Sequence, residues 1–165
     1  MRKIVLFWAI LFLFSGGAIA GQSLPPDPGE AGKQTLLGID SDSDGVRDDI
    51  QRYIYFAYPD NEKVRIALSH IAIEYQKLLL QPDNREAASM HANKMARHGE
   101  CLFYIMGEKS GDARAALKAE IMNTEERILE YITYNESLAG TVISGAPMKE
   151  WKNSCAFNVD AVGKN

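Results

Sequence analysis

Between Asn61 and Pro82 the chain places Val64, Ala67, Leu68, Ile71, Ala72, Tyr75, Leu78 and Leu79 at steps of three and four. That spacing gathers all of them on one face of an α-helix, whereas a strand, with its period of two, would divide them between its faces. A helix with so continuous an apolar stripe needs other helices to cover it. The flanking sequence supplies them. Ile50 to Phe56 follows Asp48-Asp49, which suits the positive end of a helix, and Pro59 stops it. Its aromatic content would also fit a strand, but the acidic start favours a short helix. Asp60 or Asn61 caps the next helix, and Pro82-Asp83-Asn84 ends it.

A third helix starts after Asp83 or Asn84, with Ala88, Ala92, Met95, Leu102 and Met106 on its inner face. Gly99 is a point where it can kink or divide, and Gly107 and Ser110-Gly111 end it. A fourth runs from about Asp112 through Ala116, Leu117, Ile121, Ile128, Leu129 and Ile132 to about Leu138, and Gly140 closes it. Asn123-Thr124 followed by Glu126 offers a second cap within that run. In the mixed tail, Pro147 to Lys152 can form one turn, and Trp151 and Phe157 can pack back. The expected fold is all-α, a bundle of about four helices.

The first twenty residues read as an address. Met1-Arg2-Lys3 is a basic start, Ile4 to Phe14 is apolar without interruption, and Ala18-Ile19-Ala20 is the small-x-small exit of a secretory signal peptide. The apolar run is too short for a spanning helix of about 20 residues, although an uncleaved anchor is the alternative. Removal of 20 from 165 residues leaves 145 starting at Gly21, and loss of Arg2 and Lys3 takes the net charge from −4 to −6. The expected product is periplasmic or secreted, with no membrane span after cleavage. Residues 21–35, with Pro25, Pro26, Pro28, Gly21, Gly29 and Gly32, read as a flexible leader. Residues 36–165 carry the domain. Asp and Glu total 22 against 18 Lys and Arg, which disfavours a general nucleic-acid binder.

Export gives the two cysteines a meaning. Cys101 and Cys155 have one internal pairing open to them, and an oxidising compartment favours that disulfide over two free thiols.

The segment Asp40-Ser41-Asp42-Ser43-Asp44-Gly45-Val46-Arg47-Asp48-Asp49 has Asp at positions 1, 3 and 5, Gly at 6 and Asp at 9. Calcium takes six to eight hard oxygens, and alternate carboxylates in a tight loop can converge on one point. Gly at position 6 permits the positive φ of the sharp turn. The carbonyl of Val46 is the next candidate ligand, and Asp48 completes the set directly or through water. The competing reading is an acidic, solvated linker that caps the next helix, but such a linker has no need of glycine at that place.

This segment resembles the calcium loops of the EF-hand-like superfamily, and its wording is most similar to a thrombospondin type 3-like repeat in exported bacterial proteins. The resemblance covers about 12 residues. It implies Ca²⁺ ligands at Asp40, Asp42, Asp44, Val46 and Asp48. Position 12 is Gln51 where the EF-hand has a bidentate Glu, so affinity should fall or Asp49 must help. Pro-rich chain precedes the loop instead of an incoming helix, which argues against a paired sensor.

Other groups invite less chemistry. His91 and His98 lie seven apart beside Glu100 and Cys101, but zinc needs a second ligand cluster that the sequence lacks. His70 reads as packed or superficial. Glu125-Glu126-Arg127 and Glu130 read as a solvated helix face. Tyr53, Tyr55, Phe56 and Tyr58 form either core or an exposed binding patch, with Tyr131, Tyr134 and Asn135 as neighbours that can face them. The expectation is a calcium-stabilised exported protein that binds a protein partner in the cell envelope or outside the cell. A periplasmic hydrolase is the second reading and would need two of His70, His91 and His98 in one pocket with carboxylates. A structural module of the envelope is the third.

Overall fold

The computed structural model describes residues 24–163, which fold as a helical bundle with no strand among them. The signal-peptide reading of 1–20 lies outside the described residues. The helices are α1 (Asp48–Ala57), α2 (Glu62–Leu80), α3 (Arg85–Met106), α4 (Ser110–Ile121) and α5 (Glu125–Ser137). The helix α2 is the axis of the fold and packs against each of the other four. All eight of its apolar-face residues are buried. Ile50 and Ile54 of α1, Ala88, Ala92 and Leu102 of α3, and Leu117 and Ile121 of α4 close around them.

The caps follow side-chain chemistry. Asn61 accepts the N–H of Val64, Asn84 that of Ala87, and Thr124 that of Arg127. Gly107, at φ +64°, ends α3, and a short 3-10 turn over Gly107–Lys109 leads straight into α4 at Ser110. Ser110 and Gly111 therefore begin a helix instead of ending one. Gly99 does not divide α3. Its missing side chain leaves room for the Arg114 guanidinium, which a Cβ would approach to 2.9 Å.

The expected fourth helix is two helices. Met122 leaves the helical region, Thr124 caps anew, and the break resets the phase. Consequently Ile128, Leu129 and Ile132 point outward, while Arg127 and Tyr134 point in. Counting one uninterrupted period across 122–124 gives the wrong face for α5.

The tail is fastened to α3. Cys101 and Cys155 form the disulfide. Beside it, the buried Glu100 carboxylate accepts the Ser154 hydroxyl, the Ala146 N–H at 2.6 Å and Arg97 at 3.1 Å. A 3-10 turn over Met148–Ser154 sets Trp151 edge-on to Phe103 at 4.9 Å. Phe157 packs against the core. No helix among the described residues is long and apolar enough to cross a membrane. That and the disulfide are compatible with a periplasmic or secreted protein.

The Pro/Gly segment differs from a free leader over its described part. It carries a 3-10 turn over Gly29–Lys33 and buries Gly32. The Arg52 guanidinium donates to the Pro25 carbonyl at 2.9 Å, and the Gln76 amide to that of Leu37 at 2.8 Å.

Candidate metal centre

The acidic loop connects this N-terminal segment to α1, and its own backbone folds it. The Asp48 N–H donates to the Ile39 carbonyl at 2.8 Å, while the Asp48 carboxylate accepts the Ser41 N–H at 2.9 Å. Asp40 accepts the N–H groups of Asp44 (3.2 Å) and Gly45 (3.0 Å), and Asp44 accepts that of Val46 at 2.8 Å. Gly45, at position 6, sits at φ +88°, a backbone turn that favours glycine. Its neighbour Ile73 would meet an added Cβ only at ordinary contact distance, so conformation and not space requires glycine there. Val46 then inserts into the core and anchors the loop's far end.

Asp40, Asp42 and Asp48 each bring one carboxylate oxygen within 4.8 Å of the others, a grouping that could hold a metal ion. It is the one such group among the described residues. Three hard oxygen donors suit a hard cation better than a soft one. Asp44 stands beside the triad, its second oxygen accepting the Gln51 amide at 3.1 Å. Burial raises the Asp44 pKa most, the Val46 N–H opposes this, and the charges of Asp42, Asp40 and Asp48 raise it further. The loop is thus a site of mutual carboxylate repulsion.

Gln51, at position 12, sends its amide nitrogen between Asp42 (3.2 Å) and Asp44 (3.1 Å). Its carbonyl oxygen, Oε1, is buried with no hydrogen-bond partner. Rotation of the amide by half a turn exchanges the two and puts a neutral oxygen between the carboxylates.

Asp49 is held elsewhere. Arg47 donates to it through two nitrogens, at 2.9 and 2.8 Å, and Asn123 adds a third bond at 3.2 Å. Burial alone would raise its pKa, but Arg47, then Asn123 and Arg127, outweigh this and hold it below the usual range. Asp49 therefore belongs to an ion pair and not to the triad.

That pair opens on a cluster the sequence reading missed. Arg47 also donates to the Ile121 carbonyl at the end of α4, at 3.2 Å. Arg127, fully buried and not on a solvated face, donates to the carbonyls of Gly32 (2.7 Å), Thr35 (2.9 Å) and Leu36 (3.2 Å) and to the Asn123 side chain. Two guanidiniums thus join the N-terminal segment, the loop, α4 and α5.

The histidines separate into two structural groups. His91 Nδ1 lies 2.6 Å from Glu74, a buried pair between α3 and α2. His70 and His98 stack at 5.2 Å, and Phe157 stacks on His70 at 6.3 Å. His91 and His98 therefore share no ligand position. Of the aromatic residues of α1 and its C-cap, Tyr53 and Tyr58 pack on the core. Tyr55 and Phe56 are exposed under Arg65 and Arg52. Tyr131 lies against Tyr75 of α2 at 6.1 Å, and Tyr134 lies against Tyr131 at 5.8 Å.

Compared with known proteins, the chain matches no family model, no curated protein and no solved structure.

Proposed function

We propose that the protein is an exported, calcium-binding helical protein in which Asp40, Asp42, Asp44, the Val46 carbonyl and Asp48 hold a structural Ca²⁺ and Gln51 completes the shell. The observation that carries the reading is the Asp40/Asp42/Asp48 convergence beside an amide whose buried oxygen lacks a donor. With an ion present, amide rotation would give Oε1 a partner and remove the need for nitrogen to screen two carboxylates. The loop's likeness to EF-hand-like and thrombospondin type 3-like loops points the same way.

The role we assign is recognition of a protein partner in the envelope or outside the cell. The exposed Tyr55 and Phe56 support it. Of the three histidines, His70 borders the cavity between α1 and α2 with Asp44 and Glu62, His91 is paired with Glu74, and His98 stacks on His70. The test is thermal melting in EDTA, in millimolar calcium and in millimolar magnesium. A rise in midpoint with calcium, absent in Asp42→Asn, is expected. Equal midpoints in EDTA and calcium would defeat the reading.

A further inference from the structure

Between α1 and α2 lies a half-open cavity of about 380 Å³, within the range of small-molecule sites. Its apolar lining comes from Ile54 of α1, Ile66 and Ile73 of α2 and Leu24 of the N-terminal segment. Along α2 it extends from Glu62 to Ile73, about 16 Å at 1.5 Å per residue. Ile73 lies against Gly45, so this end opens on the acidic loop, where Asp44 borders the cavity.

The charges at the two ends are not balanced. At the α2 N-terminus, Glu62 makes no ion pair with any described residue. The cavity's one guanidinium, Arg65, is turned to the Tyr58 and Pro59 carbonyls and lies over the Tyr55 ring. Burial lowers the pKa of His70 and so favours its neutral ring. Behind Asp44 stand Asp40, Asp42 and Asp48. The four carboxylates carry a formal −4, and a divalent cation among them would leave −2, an excess that Lys77, whose charge reaches His70, offsets only in part. A carboxylate or phosphate would be repelled, and an apolar molecule would leave the field unused.

We propose that the cavity is a binding site for a small organic ammonium, an alkyl- or arylalkylamine, its apolar body between Ile54, Ile66 and Leu24 and its charged head at Asp44. The site shares Asp44 with the metal reading but does not need the ion, and it is tested without calcium so that its failure and that of the metal reading are distinguishable. Calorimetric titration of the purified protein in EDTA would compare 4-phenylbutylamine, 4-phenylbutanol and 4-phenylbutanoate, which share one body and differ in the head. The amine should saturate a single site and bind about tenfold more tightly than the alcohol, the order of one partly screened charge contact. The acid should not bind. Ile66→Trp, which fills a half-exposed position, should abolish binding, and Asp44→Asn should bring the amine down to the alcohol's affinity. Amide shifts of Ser69, His70 and Ile73 on amine addition locate the site independently of the variants. An acid or alcohol that binds as tightly as the amine, or an Ile66→Trp protein that binds it unchanged, would overturn the proposal.

Discussion

Replacement of Arg127 by methionine should release the N-terminal segment from the bundle. The wild-type side chain is 0 % exposed and donates to three backbone carbonyls within Gly32 to Leu36. Methionine keeps much of the volume and provides no donor. Each bond from a charged donor is worth about 1.5–3 kcal/mol, and orphaned carbonyls carry the desolvation cost in addition. Two effects reduce the total. Arg47 and Arg127 repel each other across the single carboxylate of Asp49, and that repulsion disappears in the variant. The carbonyls can also recover water if 32–38 undocks. The net loss is then about 3–5 kcal/mol, or a fall of roughly 10–15 °C for a domain of this size. Hydrogen exchange separates this from a general loss of stability. Amides of 32–38 should lose protection at denaturant concentrations where those of α2 and α3 keep theirs. Arg127→Lys should recover less than half of the loss, since one ammonium cannot span three carbonyls and Asn123 at once. Unchanged protection at 32–38 with a midpoint within about two degrees of wild type would refute the reasoning.

Two further outcomes follow from local geometry. Gly38 has φ +67°, and a Cβ there would come within 2.6 Å of Arg47 Cδ, so Gly38→Ala should cost about 2–4 kcal/mol in urea unfolding. Gly111, inside α4 with open space around it, is the control, and Gly111→Ala should gain about 0.5–1 kcal/mol. Burial lowers the pKa of His70, and burial and then His70 lower that of His98. Folded values below the unfolded one give stability that is complete above about pH 6.5 and is lost as pH falls through the folded values. The melting midpoint in EDTA should therefore decline between pH 7 and pH 5, and His98→Gln should flatten that decline. The lowered carboxyls Glu74, Asp49 and Glu100 act in a separate window, below about pH 4.5. An equal slope in His98→Gln would assign the acid sensitivity elsewhere.

Helix existence was legible because it rests on periodicity, and α2 is the clearest case, with every residue of its apolar stripe buried. The face of α5 was not legible, since a helical phase can be carried forward only while the backbone stays helical, and Met122 leaves that region. The loop's turn was legible through Gly45 because positive φ has a residue signature. Arg47, Arg127 and Glu100 were hidden for the opposite reason. A lone charge among other charges looks solvated, and its burial depends on carbonyls and carboxylates up to 95 positions away. A carboxylate pair such as Asp48-Asp49 shows the limit within the loop itself. Adjacent and chemically alike, the two were separated by an arginine whose partner choice the spacing does not encode.

That separation sets the size of the calcium effect. Arg47 with Asp49, Val46 in the core and Asp48 on the Ser41 N–H already shape the loop, so an ion has little chain left to order. What it relieves is repulsion among Asp40, Asp42, Asp44 and Asp48. A site of extracellular affinity, about 10⁻⁴–10⁻³ M, then stabilises by roughly 0.4–1.4 kcal/mol at 1 mM calcium. The midpoint should rise by about 1–5 °C. Asp49→Asn should lower the baseline in EDTA while leaving the calcium increment, because Asp49 serves the arginine. Asp42→Asn should remove the increment and, by relieving part of the same repulsion, leave the EDTA baseline unchanged or slightly raised. An increment of about 15 °C or more would mean that the ion folds the loop outright, and the arginine scaffold would then not be what shapes it.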